Sequence, residues 1–373
     1  MKIVCDTTTL SAACQNIQRS VSNKGTTLPS LECILLDAAE DGVSLTGYDL
    51  ETGSETFIKG FVEEKGRTAI NARHLCDILR FLPDSRVTIE SDEKDMCRIT
   101  SGEAEYSIIG TPADTYPDLP SVTGETPIII NQEILRDMIR KTIYAVAIGE
   151  ARPVHTGVKF EIESGRISLI ALDGFRLAIR RENIEYSGEP QAFVVPAKTL
   201  NELMKYSDSD DGNITITVGK RHIVFEVCGY KIISRLLDGE FLDYKAAIPA
   251  VSNTTITINT KELIECVERT SLLVSTEKIK TPVRCVADGK EVRFSNVTSL
   301  GKAKDKCGAQ IEGKGIEIGF NARFMLDALK VCDEEYVNIE LNTSATPIII
   351  TPTDKDNFLF LILPMRLKNE NEI

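Results

Sequence analysis

Ten cysteines, three histidines and 56 aspartates and glutamates are the groups in this 373-residue chain that could act as nucleophiles, metal ligands or acid–base pairs. The cysteines stand at 5, 14, 33, 76, 97, 228, 266, 285, 307 and 332, with no Cys-x-x-Cys pair, and His74, His155 and His222 are the sole imidazoles. Zinc sites draw on clustered thiolates and imidazoles, so no metal is expected. A cysteine nucleophile needs a cationic or imidazole neighbour. The nearest pair, His74 and Cys76, lies two residues apart on a helical segment and does not share a face. No glycine-rich phosphate loop, Gly-x-Ser-x-Gly elbow or His-Glu-x-x-His helix occurs. Glu63-Glu64 and Asp333-Glu334-Glu335 fall in turn-like stretches and read as solvated surface. The expectation is a protein that is not an enzyme and holds no cofactor.

The elements that carry these residues are those of a globular chain, with 42% hydrophobic and 27% charged residues. The longest apolar run, Phe358 to Leu363, is far shorter than the roughly 20 residues of a membrane helix. Near the start, Met1-Lys2-Ile3-Val4-Cys5 meets Asp6 before a secretory signal could form. Scattered cysteines in a large chain fit buried thiols in a reducing compartment, and a cytoplasmic location is expected. The net charge of −13 at first counts against binding phosphates.

The chain also repeats itself. Asp6, Asn131 and Asn259, 125 and 128 residues apart, each follow a β-like run and precede a leucine by four residues, as N-caps between a strand and a helix would. A second anchor recurs at intervals of 125: Ala69-Ile70-Asn71-Ala72-Arg73, Val194-Val195-Pro196-Ala197-Lys198 and Gly319-Phe320-Asn321-Ala322-Arg323. Apolar residues at helical spacing follow each anchor, then alternating strands such as Ile214 to Val218. Asp41-Gly42, Ser164-Gly165 and Asp288-Gly289 punctuate hairpins between the two helices of each copy. The pattern predicts an α+β fold of three similar domains, 1–121, 122–249 and 250–373, each with two helices packed on antiparallel sheet.

Seven stretches in order carry a resemblance: Leu28-Pro29-Ser30-Leu31; Thr46-Gly47-Tyr48-Asp49-Leu50-Glu51; Thr111 to Leu119; Arg152-Pro153-Val154-His155-Thr156-Gly157-Val158; Leu172-Asp173-Gly174-Phe175-Arg176-Leu177-Ala178; Asp238-Gly239-Glu240-Phe241-Leu242-Asp243-Tyr244; and Leu363-Pro364-Met365-Arg366-Leu367. Together with the triple repeat, they make the chain resemble the bacterial DNA polymerase III β subunit, the sliding-clamp family, over nearly its whole length. The resemblance implies three clamp domains per chain and a head-to-tail homodimer closed into a six-domain ring. Such a ring encircles duplex DNA independently of sequence. Implied partners are the polymerase α subunit, the clamp loader and other clamp-binding replication and repair proteins. A specialised paralogue with altered partners is the second reading. An unrelated cytosolic scaffold or enzyme on a triplicated fold is the third.

In the family, helices line the hole. The segments 8–20, 73–81, 132–144, 198–206, 261–270 and 323–330 carry +1, +1, +1, +1, −1 and +1; removing this total of +4 from −13 leaves −17 for the rest of the chain. An acidic shell around a mildly basic lining suits a ring that slides on DNA. The DNA-facing residues implied are Arg19, Lys24, Arg73, Arg80, Arg136, Arg140, Lys141, Arg152, Lys198, Lys205, Arg323 and Lys330. The partner-peptide pocket carried over from the family comprises His155, Leu172, Gly174, Phe175, Arg176, Leu177, Leu242, Ala246, Ala247, Ile279, Asn321, Phe324, Ala345, Leu361, Pro364, Met365, Arg366 and Leu367. His155 stands where the family has an aliphatic residue, Leu242 where it has proline, and Ala246 where arginine is frequent, so an altered ranking of partners is expected. At the subunit seam, Glu103, Glu105, Tyr106 and Ile108 are expected to face Leu273, Val274, Lys302, Lys304 and Lys306. The charge signs are exchanged relative to well-known members, which predicts a clamp that closes with itself and mixes poorly with a standard one.

Overall fold

A computed structural model describes residues 1–22, 28–124, 126–149, 152–163, 165–206, 212–274 and 281–367. Its helices begin where short polar side chains can accept the orphan amides of a first turn. The Asp6 carboxylate accepts from the Thr9 amide (2.8 Å) and opens α1 (Thr7–Ile17). Asn71 and Asn259 do the same for α2 (Ala72–Arg80) and α5 (Thr260–Ser271), accepting from His74 and Glu262. The Asn321 side chain accepts from the Arg323 amide at the start of α6 (Ala322–Leu329). The central copy supplies α3 (Gln132–Ile143) and α4 (Ala197–Tyr206). Each such cap is worth about 1 kcal/mol.

Every strand pairing among the described residues that joins two named strands is antiparallel, and three sheets result. In spatial order, the first contains Phe61–Glu64, Lys2–Asp6, Arg86–Ser91, Met96–Ser101 and Ala104–Ile109. The second runs Ile128–Asn131, Asn213–Val218, His222–Val227, Tyr230–Arg235, Thr52–Lys59, Gly42–Tyr48, Cys33–Ala39 and Gly66–Asn71. The third has twelve strands: Gln191–Pro196, Gly157–Glu163, Arg166–Leu172, Arg176–Asn183, Phe358–Ile362, Ile348–Pro352, Tyr336–Leu341, Thr254–Asn259, Gly301–Gly313, Glu291–Thr298, Val283–Asp288 and Ile316–Phe320.

The two larger sheets each join strands from consecutive copies of the repeat. Tyr230 and Ser234 of the central copy stand opposite Thr56 and Thr52 of the first. Arg176 and Arg180 of the central copy stand opposite Ile362 and Phe358 of the third. Compactness follows these shared sheets: one unit is Met1–Gln132 with Lys198–Leu236, the other Glu133–Ala197 with Leu237–Ile373.

In the first unit, α1 and α2 pack on the inner faces of both sheets around Leu10, Ile17, Ile34, Leu36, Leu45, Ile70, Leu75 and Ile89. α4 joins α1 through the Tyr206 hydroxyl, which donates to the Asn16 carbonyl (2.8 Å), while the Asn16 amide donates to Tyr230 (2.9 Å). In the second unit, Phe160, Phe320, Phe358 and Phe360 are fully buried, and the Phe358 and Phe360 rings stack at 4.7 Å. Of the ten cysteines eight are buried, Cys332 is half-buried and Cys228 is exposed. Among the described residues no helix is long and apolar enough to cross a membrane.

Candidate functional site

The Leu172-to-Leu177 stretch is a hairpin whose turn is tied by one side chain. The Asp173 carboxylate accepts from the amides of Phe175 (2.9 Å) and Arg176 (3.1 Å) and from the Arg176 Nε (3.0 Å). Gly174 sits at φ 88°, which a residue without Cβ adopts freely. Fixed in this way, Arg176 is 93% buried. Its guanidinium also pairs with Asp327 (2.5 Å) and lies over the rings of Phe324 (4.6 Å) and Tyr144 (5.4 Å). Phe175 turns outward beside Phe324, their rings 6.2 Å apart, and keeps 61% of its surface exposed.

Leu172, Leu177 and Leu361 are brought together by cross-strand pairing and pack with Ile170, Ile179, Tyr244 and Ile349. Phe241 joins this cluster and meets the ring of His155 edge-on at 5.2 Å. His155 is buried, its Nε2 has no hydrogen-bond partner, and burial together with the Arg152 charge lowers its pKa. The terminal strand continues into the site, where the Leu363 amide donates to the Phe175 carbonyl (2.9 Å) and the Met365 amide to that of Gly319 (2.7 Å). A cleft of about 630 Å³ opens there among Ala345, Pro364, Met365, Arg366, Leu367, Arg284, Glu317 and Ser344. A second, of about 480 Å³, is lined by Arg152, Pro153, Val154 and Asp238 to Asp243, including the exposed Leu242. Ala246 and Ala247 are exposed on the next turn, Asn321 is the α6 cap, and Ile279 lies outside the described residues.

Asp327, Tyr144, Phe241, Arg284 and Glu317 also stand at these surfaces, though the sequence alone does not single them out. Phe241 lies in the Asp238-to-Tyr244 stretch, where its aromatic ring among acids is the signal for it. Asp327 and Tyr144 become visible only once the fold brings them to Arg176.

The cations expected on the helices divide sharply. Arg19, Arg73, Arg80, Arg152, Lys198, Lys205, Arg323 and Lys330 are exposed, and several are tempered by neighbouring acids: Lys198 with Asp49 (2.7 Å), Lys205 with Glu202 (2.7 Å) and Lys330 with Glu268 (2.6 Å). Arg136 is half-buried, and Lys24 lies outside the described residues. Lys141 corrects the expectation. It is 97% buried, with its Nζ within 3.3 Å of Asp137, 3.2 Å of Asp333 and 3.7 Å of Glu334. Arg140 is half-buried and also pairs with Asp137 and Asp333, and Arg180 pairs with Asp137 and Glu182. Lys141 is an internal counter-charge because the α3 face that carries it turns toward the segment following α6.

Among the open strand edges of the described residues, two belong to the strands expected at the subunit seam. Ala104–Ile109 ends the five-stranded sheet, with Glu105, Tyr106 and Ile109 exposed. Gly301–Gly308 pairs with Glu291–Thr298 on one side, and among the described residues its other side has no strand. There Lys302, Lys304 and Lys306 point to solvent, while Asp305 pairs inward with Arg269 (2.6 Å) and Cys307 is buried. Ile108 packs on the core, Leu273 and Val274 are half-buried, and Leu272 and Leu300 are exposed nearby. Glu103 is exposed in the turn before Ala104.

Burial raises the Cys76 thiol to about 12, opposite to the shift a thiolate nucleophile needs. Among the described residues no group of three His, Cys, Asp or Glu could hold a metal ion.

Family models of the DNA polymerase III β subunit match the chain throughout: the N-terminal domain at 1–120, the central domain at 129–243 and the C-terminal domain at 245–366. A protein of Bacillus subtilis named beta sliding clamp is 32% identical, covering 98% of this chain and all of the relative. One of Staphylococcus epidermidis with the same name is 33% identical over 91% of this chain and 93% of its own. Among solved structures, the DNA polymerase sliding clamp of Bacillus subtilis superposes with a TM-score of 0.96 at 32% identity, covering 99% of this chain and all of that one. A DNA polymerase III β subunit structure from Eubacterium rectale gives 0.94 at 33% identity, covering 98% and 100%.

Proposed function

Because the chain belongs to the DNA polymerase III β subunit family and has its three-domain clamp fold, we propose that it works as a homodimeric ring that encircles duplex DNA and tethers the replicative polymerase. Its function is that of a sliding clamp, a non-catalytic processivity factor in DNA replication. The observation that carries the ring is the series of shared sheets. The Thr52–Lys59 strand of copy one takes the last strand of copy two, and Arg176–Asn183 of copy two takes the last strand of copy three. In copy three the corresponding strand is Gly301–Gly313, with its edge open along Gly301–Gly308, and the last strand of copy one, Ala104–Ile109, is open as well. One chain cannot satisfy a series that runs one way, but two chains joined head to tail close it. Pairing the open edges also removes a hazard of aggregation.

Glu103 and Glu105 would then meet Lys302, Lys304 and Lys306 of a second copy, and Tyr106 and Ile108 would cover Leu273 and Val274. The domains of this reading are 1–121, 122–249 and 250–373. Arg19, Lys24, Arg73, Arg80, Arg136, Arg140, Arg152, Lys198, Lys205, Arg323 and Lys330 face the phosphates, without Lys141. Many are half-neutralised by neighbours, so the attraction is weak and independent of sequence, as sliding requires. The α subunit of DNA polymerase III, the clamp loader and other clamp-binding proteins of the cytoplasm insert apolar anchors at the Leu172, Leu177, Leu361 cluster and the Phe175–Phe324 platform. The remaining positions, His155, Gly174, Arg176, Leu242, Ala247, Ile279, Asn321, Pro364, Met365, Arg366 and Leu367, frame that slot.

Retention after loading tests the ring. The expected outcome is a protein that stays on nicked circular DNA through a high-salt wash and runs off once the circle is linearised; loss from both forms would overturn the topological reading.

A further inference from the structure

We propose that the cleft beside His155 selects partner peptides in which a lysine or arginine flanks the apolar anchor. The inference rests on reading the adjoining face as a peptide pocket. The cleft, about 480 Å³, has apolar walls from Pro153, Val154, Phe241 and Leu242, and it adjoins the slot through Phe241, which also packs against the Leu172, Leu177, Leu361 cluster. Its charged lining is Asp238, Glu240 and Asp243 against the single Arg152, a net of −2. None of the four is in an ion pair among the described residues. Two nearby cations reduce this excess at most to −1, because the charge of the first is matched by an acid and only the second adds to the balance. Lys159 pairs with Glu161 (2.6 Å), and Lys245, outside the lining, rests over the Tyr244 ring. A carboxylate-rich rim above an apolar wall complements a side chain with an aliphatic stem and a cationic head, which is lysine or arginine. The same lining repels an acidic flank, so discrimination comes from both signs.

The test is fluorescence anisotropy on the full chain with three peptides that share one set of apolar anchors and differ in a flanking Lys, Gln or Glu. The expected order is Lys, then Gln, then Glu, with Lys over Glu by about fivefold, or about 1 kcal/mol. The spread should collapse at about 0.5 M salt, where screening shortens the reach of exposed charges to a few ångströms. It should also collapse in the Asp238→Asn, Glu240→Gln double variant, and an undiminished spread there would overturn the assignment to these two carboxylates. Equal affinities for the three peptides would overturn the charge selection and leave the pocket standing. Binding of none of them would overturn the pocket reading itself.

Discussion

Arg176 organises the pocket, since its guanidinium satisfies Asp173 and Asp327 while presenting a flat face to Phe324. Replacing it with alanine strands Asp173, itself largely buried, and should cost about 3 kcal/mol in denaturant unfolding along with peptide binding. Phe175→Ala should weaken peptide binding about tenfold with stability nearly unchanged, since its ring is mostly in solvent. His155 behaves differently. Its Nε2 is buried without a partner, so His155→Leu should raise stability by about 1 kcal/mol at neutral pH, read as an increase in Tm. Burial and Arg152 lower the His155 pKa in the folded protein. Its contribution to stability is therefore full above the unfolded value of about 6.5 and lost as pH falls through the folded pKa. Melts of the leucine variant at pH 7.5 and 5.5 should differ less than those of the native chain; an unchanged difference would mean His155 does not titrate on unfolding.

At the scale of elements, α3 separates charge that can act outward from charge used within. Lys141→Met should lower stability by about 2 kcal/mol, less than in a fully buried pair because Asp333 is exposed, and leave DNA affinity as it was. Arg80→Ala should do the reverse: a small, uniform loss of DNA affinity across sequences at constant Tm. Burial alone would raise the carboxyls of Asp137 and Asp333, but Arg140 and Lys141, with Arg180 at Asp137, outweigh it and hold both below the usual range. Their stabilisation is present above the unfolded value of about 3.9 and is lost as pH falls through the depressed folded values, so acid unfolding of the Lys141→Met chain should begin at higher pH. The helices themselves were legible, each beginning and ending within a residue or so of the bounds expected from N-caps and apolar spacing, apart from the last turn of the first, which is 3-10. The burial of Lys141 was not. A helical repeat tells which residues share a face, but not which neighbour that face meets, and two of the three acids that claim Lys141, Asp333 and Glu334, lie nearly 200 residues away.

For the whole molecule, the triple repeat and the fold class could be read from spacing, whereas the sharing of sheets between copies could not, because edge pairing is backbone chemistry with little side-chain signature. That sharing makes the seam testable by charge. Glu105→Lys or Lys304→Glu alone should weaken dimerisation in analytical ultracentrifugation, whereas the double variant should regain self-association and mix poorly with the native chain. Free mixing would refute pairing of these residues across the seam.

The distribution of thiols has a practical consequence. Eight of ten cysteines are sealed in the interior, Cys332 is half-covered, and Cys228 stands in the open on the tight turn between His222–Val227 and Tyr230–Arg235. A maleimide dye should therefore couple to Cys228 in the unmodified sequence, giving a fluorescent reporter far along the chain from the Ala104–Ile109 and Gly301–Gly308 edges and from the Phe175 platform.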